Sequence, residues 1–535
     1  MDTPLEGNSE VSHTLPWSHN PRRIQPLGNL WLSDDPKAIY YRERSFGTLS
    51  KIPDELLLLI FTELEPKDLH LAQGVSRYFF GWCVGLDGIW KVAYLSQRNK
   101  LVDWKGTWRS TYFGRNQKLE TDRIELSNVY SDILFQPYLA AGFSISKMIG
   151  LDRFTFLDRI KRMKGSDEVG LEKFGYDRPL ILNDLMKDWK AMNWSLDLLS
   201  FRFPKVEFRA ESSLVTILDY QNYYDDCLTE ESPLYLFDAE FVEKTSKVER
   251  LGGLGLDYCV PKLFQCDLFS CLGSKRPDFR WLIIGPARSG STWHKDPNGT
   301  SAWNAVITGR KLWICFPPDL TPPGVWVSED ESEVESPLSI AEWFLNYYQI
   351  AKEEYGPRAK DPLKKGQMVE GICEAGEIFY VPSGWWHLVV NLEGSIAITQ
   401  NFVSEFELVD VLRFMKYRPD QLSGFRNIEK QEVLKEFLNA LRQSNQISIE
   451  KLNESIKKME ENKREEQDFN LQIKKRRRRT MNHKSESIWE KLLNKTKKPR
   501  KLENGQEIDE KKVNDSLDGL FTFGFLVEDD SESLW

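Results

Sequence analysis

Six histidines occur in the chain, and two of them stand where they could do chemistry together. His13, His19 and His483 fall in polar terminal stretches and His70 in a helical segment, whereas His294 and His387 lie among short β-rich runs. His294-Lys295-Asp296 is an HxD unit. On a strand, residues two apart project from the same face, so one imidazole and one carboxylate point the same way. His387 opens the run WHLVVN, a strand that a jelly roll can return beside the first. Two imidazoles and a carboxylate converging on one ion, with open positions opposite, make the facial triad of a non-heme Fe(II) oxygenase. Three protein ligands leave room for a bidentate cosubstrate and for dioxygen. An HxD unit alone is weak support, because a strand histidine is more often a hydrogen-bonded structural residue.

The neighbouring runs extend the constellation. Read as a three-residue hairpin loop, Leu392-Glu393-Gly394 pairs Asn391 with Ser395 and His387 with Thr399, which puts a hydroxyl on the face of the metal ligand. Read as a two-residue turn, Gly309-Arg310 pairs Thr308 with Lys311 and places Asn304, Thr308 and Lys311 on a common face. A lysine turned into a barrel is costly when unpaired, so it must meet an anion or lose its proton. A small dicarboxylate held at one end by Lys311 and Thr399, and chelating iron at the other, matches 2-oxoglutarate. The alternative is a lysine that snorkels to the surface at a hairpin edge.

Two long motif blocks carry a family resemblance. GPARSGSTWHKDPNGTSAWNAVITGRKLWICFPP (Gly285 to Pro318) and GEIFYVPSGWWHLVVNLEGSIAITQNFV (Gly376 to Val403) resemble the Jumonji-C oxygenases, and within them the phosphatidylserine-receptor-like group of lysyl hydroxylases and arginine demethylases. The similarity spans about Arg178 to Val403. It implies Fe(II), 2-oxoglutarate as cosubstrate, and O2. By motif, the family's iron ligands fall on His294, Asp296 and His387, and its 2-oxoglutarate contacts fall on Lys311, Thr399, Asn304 and, in the run PLYLFD, Tyr235. Ser291 stands where the family often has threonine and keeps a hydroxyl. No catalytic position is lost, so an active protein hydroxylase or demethylase is expected. Oxidation of a lysine carbon leaves hydroxylysine, and oxidation of an N-methyl carbon ends in loss of formaldehyde. A zinc cupin without redox chemistry is a further reading.

These side chains need a scaffold. Between Arg178 and Val403 the runs PLILND, SLVTIL, PLYLFD, RWLIIG, WNAVIT, KLWICF, EIFYVP, WHLVVN and SIAIT recur between Gly, Pro, Asn and Asp turns, which is the pattern of a sandwich or barrel. The expected fold class is α+β and multidomain: a small helical module, a double-stranded β-helix (jelly-roll or cupin) domain, C-terminal helices and a charged tail. The boundaries expected are a loose arm over 1–46, the helical module over 47–95, an irregular extension packing on the barrel over 96–177, the jelly roll over 178–404, helices over 405–455 and a disordered basic and acidic tail over 456–535. Leu408, Val411, Leu412 and Met415, then Val433, Phe437, Leu438 and Leu441, predict helices that pack on the barrel or on a second copy of it, a homodimer.

Composition bounds the function. With 535 residues, 41% hydrophobic and 12% aromatic, the chain has room for three or four folding units, and wholly disordered, collagen-like and fibrous classes are excluded. Seven cysteines in 535 residues are too few and too scattered for a disulfide framework, no CxxC pair anchors a structural zinc, and Cys266 and Cys271 read as packed thiols. The longest apolar run, Leu56 to Phe61, is far below the ~20 residues of a membrane-spanning helix, and MDTPLEGNSE lacks a signal-peptide core. A soluble intracellular protein is expected. The net charge of -9 argues against a general nucleic-acid binder. Nucleic-acid contact is confined to the basic runs KKRRRR (Lys474 to Arg479) and KTKKPRK (Lys495 to Lys501), which read first as a nuclear import address, with cytoplasmic residence left open.

Leu56, Leu57, Ile60, Phe61 and Leu64 form a helical stripe that Leu58 and Leu59 widen past one face, with Pro53 at its first turn and Pro66 restarting a second helix. A helix apolar almost all round must be covered from two sides, which a unit of about 45 residues does not manage alone. On Pro53-Asp54-Glu55-Leu56, Ile60, Leu64, Asp68-Leu69, Val75-Ser76 and Trp90, residues 49–95 resemble an F-box. The resemblance implies docking on the Skp adaptor of a cullin-RING ubiquitin ligase. One alternative is that these helices simply cap the next domain. Another is an F-box substrate receptor whose jelly roll only binds a protein target; there, Leu56→Ala with Leu57→Ala abolishes adaptor capture and His294→Ala has no effect. The best-known animal members of the oxygenase group lack an F-box, so the substrate protein stays open.

Overall fold

The computed structural model describes residues 24–26, 42–44, 46–115, 126–129, 131–151, 156, 158–165, 176–227, 230–248, 253–328, 331–337 and 339–462. The expectations for most of the arm, for the two basic runs and for most of the tail lie outside the described residues. The chain divides into two compact units, Met1–Phe269 with Pro277–Glu407, and Ser270–Arg276 with Leu408–Trp535.

In the first unit the β-rich runs form two sheets. The strands are β1 (Lys161–Lys164), β2 (Leu180–Asn183), β3 (Glu207–Ala210), β4 (Ser213–Thr216), β5 (Leu236–Asp238), β6 (Arg280–Gly285), β7 (Gly290–His294), β8 (Ser301–Thr308), β9 (Arg310–Phe316), β10 (Val369–Glu374), β11 (Ile378–Val381), β12 (Trp386–Asn391) and β13 (Ser395–Phe402). The nine-stranded sheet runs β1-β2-β11-β8-β13-β6-β5-β3-β4, and the four-stranded sheet β10-β9-β12-β7. SLVTIL is a strand only as far as Thr216, whose side chain accepts the Asp219 N–H and so starts helix Ile217–Tyr224.

Neither expected hairpin exists. β8 and β9 belong to different sheets, and so do β12 and β13. Thr308 pairs with Ile396 rather than Lys311; Asn391 pairs with Lys311 rather than Ser395; His387 pairs with Cys315 and His294; and Thr399 pairs with Asn304 and Trp281. At Gly309 and at Leu392–Gly394 the chain crosses from one sheet to the other. Gly309 has a left-handed backbone (φ 77°), and a Cβ there would lie 2.3 Å from the Gly394 carbonyl oxygen, so the two crossings pack on one another. Jelly rolls close their barrel by such crossings, which satisfy strand edges that side-by-side hairpins would leave open.

Strand alternation then sorts side chains into two layers. Leu312, Ile314 and Phe316 of β9 join Trp293, Leu388 and Val390 in a cluster beneath the helical segments Ile340–Trp343, Phe344–Tyr348 and Gln349–Tyr355. Trp313 and Cys315 turn the other way and meet Val306, Phe379 and Val381 of the nine-stranded sheet. Both faces of β9 are thus buried, which is why KLWICF reads as a nearly unbroken apolar run. On the nine-stranded sheet, Trp303, Ala305, Ile307, Ile396 and Ile398 point outward into a cluster shared with the N-terminal helices.

Those helices are α1 (Asp54–Glu63), α2 (Pro66–Ala72), α3 (Arg77–Gly85), α4 (Asp87–Arg98) and α5 (Trp108–Phe113). In α1, Leu57 and Phe61 are buried, each contributing roughly 1.5–3 kcal/mol by transfer from water. Leu56, Leu59 and Ile60 are exposed, together with Leu49, Leu71 and Val75. The wide stripe is therefore covered on one side only. α4 stops at Asn99, in the left-handed region (φ 49°), and the next residues pair along β4: Leu101 N–H donates to the Leu214 carbonyl at 3.1 Å. The Asp87 carboxylate accepts the N–H groups of Trp108 and Arg109 at the start of α5. Residues 99–113 thereby join the helical module to the barrel.

The second unit contains the expected C-terminal helices, α6 (Leu408–Tyr417) and α7 (Val433–Gln443). Leu408, Val411, Leu412 and Met415 are buried in the first, and Val433, Phe437 and Leu441 in the second; Leu438 is half-buried. Among the described residues, no helix is long and apolar enough to cross a membrane.

Candidate active site

β7 and β12 are neighbours, and His294 pairs directly with His387 across them, their rings 4.1 Å apart. Asp296 lies two residues past the end of β7, at the mouth of a short turn, but its backbone stays extended (φ -62°, ψ 143°), so the alternation of the strand carries on to it. The ligand atoms of His294, Asp296 and His387 lie within 4.8 Å of one another, the one such cluster among the described residues. The triad read from the sequence therefore assembles.

Local hydrogen bonds set each ligand. The Nδ1 of His294 lies 2.7 Å from the Thr292 carbonyl, and that of His387 lies 3.0 Å from the Trp385 carbonyl. A carbonyl only accepts, so each Nδ1 carries the proton and each Nε2 keeps its lone pair for an ion. Burial, reinforced by the neighbouring His294, pushes His387 well below the ordinary histidine range and keeps it neutral. Burial raises the Asp296 carboxyl, while His294 and a hydrogen bond from Asn401 oppose that rise. The Asp296 Oδ2 is buried and has no hydrogen-bond partner. A carboxylate oxygen left so is expensive in a protein and ordinary beside a cation, so the donor set fits a divalent metal.

Lys311 is fully buried on the inward face of β9, two residues from Trp313. Its ammonium donates to the Tyr235 hydroxyl at 3.0 Å and to Asn391 Oδ1 at 2.8 Å. Burial brings its pKa down to about 7, a fall the nearby Cys373 opposes. Snorkelling is thus excluded. From the other sheet come Asn304 and Thr399, a cross-strand pair on β8 and β13. The Thr399 hydroxyl donates to the Trp303 carbonyl at 3.0 Å, and the buried Asn304 Oδ1 has no partner. Lys311 and Thr399 thus come from different sheets. Ser291 pairs with Val389, and the register shifts by one between this pair and His294–His387, which lets Ser291 and His294, three apart, keep inward partners. Tyr235, with Ile283 and Ala397, walls the lysine end.

Three residues escaped the sequence reading as site components. Asn391 was legible only as a pairing position, yet its Oδ1 accepts from Lys311 while its Nδ2 donates to Ser289 Oγ at 3.0 Å. Asn401 touches Asp296 and also donates to Thr300 Oγ1 at 3.0 Å. Trp313 stacks on Phe379 at 4.0 Å and on His387 at 5.9 Å, setting one flank of the metal ligand. For the two asparagines the available signal was parity: Asn391 lies four residues after His387, and Asn401 two after Thr399.

Comparisons with known proteins agree with this geometry. The cupin-like domain family matches residues 264–408, and the F-box-like family residues 49–96. The chain is 39% identical over 456 residues to the arginine-specific demethylase JMJ22 of Arabidopsis thaliana, covering 83% of this chain and 85% of that protein. It is 34% identical over 379 residues to the lysine-specific demethylase JMJ21 of Arabidopsis thaliana, covering 68% of this chain and 38% of that protein. It is 33% identical over 315 residues to the bifunctional arginine demethylase and lysyl-hydroxylase psr-1 of Caenorhabditis elegans, covering 56% of this chain and 75% of that protein. Such likeness along most of a relative's length, with the triad in place, means that this chain belongs to the Jumonji-C family of Fe(II)/2-oxoglutarate oxygenases and carries an F-box-like domain ahead of its oxygenase domain.

Proposed function

We propose that the chain is an Fe(II)- and 2-oxoglutarate-dependent dioxygenase that hydroxylates or N-demethylates protein side chains, and that its F-box-like helices dock the Skp adaptor of a cullin-type ubiquitin ligase. The observation that carries the first part is the pairing of His294 with His387, both proton-bearing Nδ1 atoms engaged by carbonyls, beside an Asp296 oxygen with no partner. His294, Asp296 and His387 would hold the iron. Fe(II) with 2-oxoglutarate and O2 supplies oxidation of a C–H bond, with succinate and CO2 as co-products.

The chain's own residues bind, orient and exclude water. Lys311 and Tyr235 offer a cation and a hydroxyl to the distal carboxylate of the cosubstrate, Thr399 adds a second hydroxyl by turning its proton away from the Trp303 carbonyl, and Asn304 offers an amide beside them. A carboxylate arriving at Lys311 stabilises the protonated form, so this lysine binds the dicarboxylate best when it carries its proton. Asn391 holds the lysine in place, and Asn401 orients the carboxylate ligand. Trp313, Phe379, Ile283 and Ala397 keep the interior apolar, which strengthens each of these charge-assisted contacts. The activities named for the relatives support a protein side chain as the group oxidised. Exposed Leu56, Leu59, Ile60, Leu71 and Val75 support the docking role, since clustered apolar surface on helices marks a partner.

The test is mass spectrometry of candidate proteins incubated with the purified chain, Fe(II) and 2-oxoglutarate, scored for gain of one oxygen or loss of one methylene against a His387→Ala control. Succinate formation is followed in parallel. No shift in any target, with succinate no higher than in the control, favours the receptor reading, in which the jelly roll only binds.

A further inference from the structure

Glu211 occupies the turn between β3 and β4, in a left-handed backbone conformation (φ 50°) that an ordinary residue adopts at a cost. Its carboxylate has two partners. Oε2 accepts from the Lys91 ammonium of α4 at 2.9 Å, across 120 residues of sequence, and Oε1 accepts the backbone N–H of Tyr235 at 3.4 Å. Tyr235 in turn receives a hydrogen bond from Lys311. Tyr235, held at its backbone by Glu211 and met at its hydroxyl by Lys311, therefore stands between the last helix of the F-box-like domain and the ammonium of the cosubstrate site.

A second line reaches the same strand. Trp104 and Trp108, just after α4, pack on Tyr223 at 4.9 and 6.2 Å. The Tyr223 hydroxyl accepts the N–H of Leu234, and the Tyr220 hydroxyl donates to the Leu234 carbonyl at 2.7 Å. The residue before Tyr235 is thus gripped as well. One side of the ring packs closely on Gly285, where an added Cβ would lie 2.5 Å from Tyr235 Cδ2. A backbone shift at Tyr235 is therefore passed on toward its hydroxyl rather than taken up on that side.

We infer that Lys91 and Glu211 are positioning residues for Tyr235, so that α4 of the F-box-like domain forms part of the support of the cosubstrate site. The inference rests on the oxygenase reading above. The physical reason is the balance at Glu211. Its contact to Tyr235 is long, and a half-buried carboxylate without its cation gains more from water than from one such N–H. Lys91 also faces Glu230, whose carboxyl burial pushes up to about 7, so its removal leaves two acids without their shared cation. Glu211 then turns outward and Tyr235 loses its anchor.

The experiment titrates 2-oxoglutarate into the full chain loaded with Mn(II), by calorimetry, for the unsubstituted protein and for Lys91→Met, Lys91→Arg and Glu211→Ala. Lys91→Met keeps an aliphatic stem while removing the ammonium, which lies 5.6 Å from the Trp108 ring centroid. It and Glu211→Ala are expected to weaken 2-oxoglutarate about fivefold to tenfold, the scale of one lost hydrogen bond. Lys91→Arg is expected to restore affinity to within about twofold, and Mn(II) affinity stays level throughout, which a general loosening of the fold would not allow. In turnover assays the KM for 2-oxoglutarate rises while kcat holds. Equal 2-oxoglutarate affinity in Glu211→Ala and the unsubstituted chain overturns the inference, even where Lys91→Met fails to fold. Absence of 2-oxoglutarate binding to the unsubstituted chain strikes the oxygenase reading itself.

Discussion

Raising the pH should weaken 2-oxoglutarate binding before it affects the metal, because the buried lysine loses its charge first. With a pKa of about 7, Lys311 is about half protonated at pH 7, about a tenth at pH 8 and about a hundredth at pH 9. Only the ammonium form offers the distal carboxylate a cation, so apparent affinity falls in proportion to that fraction. The apparent Kd therefore rises about tenfold from pH 6 to pH 8, and about tenfold again by pH 9, each step being about 1.4 kcal/mol. The sign follows from linkage: bound carboxylate raises the lysine pKa again, and binding above neutrality takes up close to one proton. Calorimetry of 2-oxoglutarate with the Mn(II)-loaded chain, in pairs of buffers with different ionisation heats, reads both quantities. Lys311→Met should lose about tenfold to a hundredfold in affinity at pH 6, the scale of a hydrogen bond to a charged group, and its gap to the unsubstituted chain should close toward pH 9. A Kd that stays level from pH 6 to pH 9, with no proton uptake, would refute the assignment of Lys311 as the cosubstrate cation.

Asp296→Ala should lower metal content about a hundredfold or more, by elemental analysis after dialysis, with the circular dichroism spectrum retained, since a removed ligand costs at least as much as a removed supporting contact. Leu57→Ala should cost about 2–5 kcal/mol in denaturant unfolding, whereas Leu56→Ala, on the exposed side of α1, should stay within about 0.5 kcal/mol. The double change Leu56→Ala with Leu57→Ala therefore confounds docking with folding. Leu56→Ala with Ile60→Ala is the clean test, expected to abolish capture of a purified Skp-type adaptor without moving Tm by more than a degree or two. Gly309→Ala should destabilise the chain by about 2 kcal/mol or more, read by thermal unfolding, because it combines a left-handed backbone with a Cβ 2.3 Å from the Gly394 oxygen.

Residue types and local periodicity were enough to find the triad and most of the strands and helices, although SLVTIL turns into a helix after Thr216. His294, Asp296 and His387 were legible because metal ligation demands particular residue types, and because period-two alternation assigns a face before any partner strand is known. The stripe of α1 and the faces of α6 and α7 were legible for the same reason, at a period of 3.6. Strand pairing was not. Gly309-Arg310 and Leu392-Glu393-Gly394 suit a tight hairpin and a crossing between sheets equally well, since turn chemistry is local and the choice depends on which apolar faces find cover. Only the closed barrel decided that Lys311 and Thr399 come from different sheets, that half of the α1 stripe stays exposed, and that Asn391 and Asn401 become polar partners of the site. Alternation along one strand is a property of the backbone; convergence of several strands is a property of the packed interior, where residues such as Lys91 and Glu211 meet across 120 positions that no local pattern links.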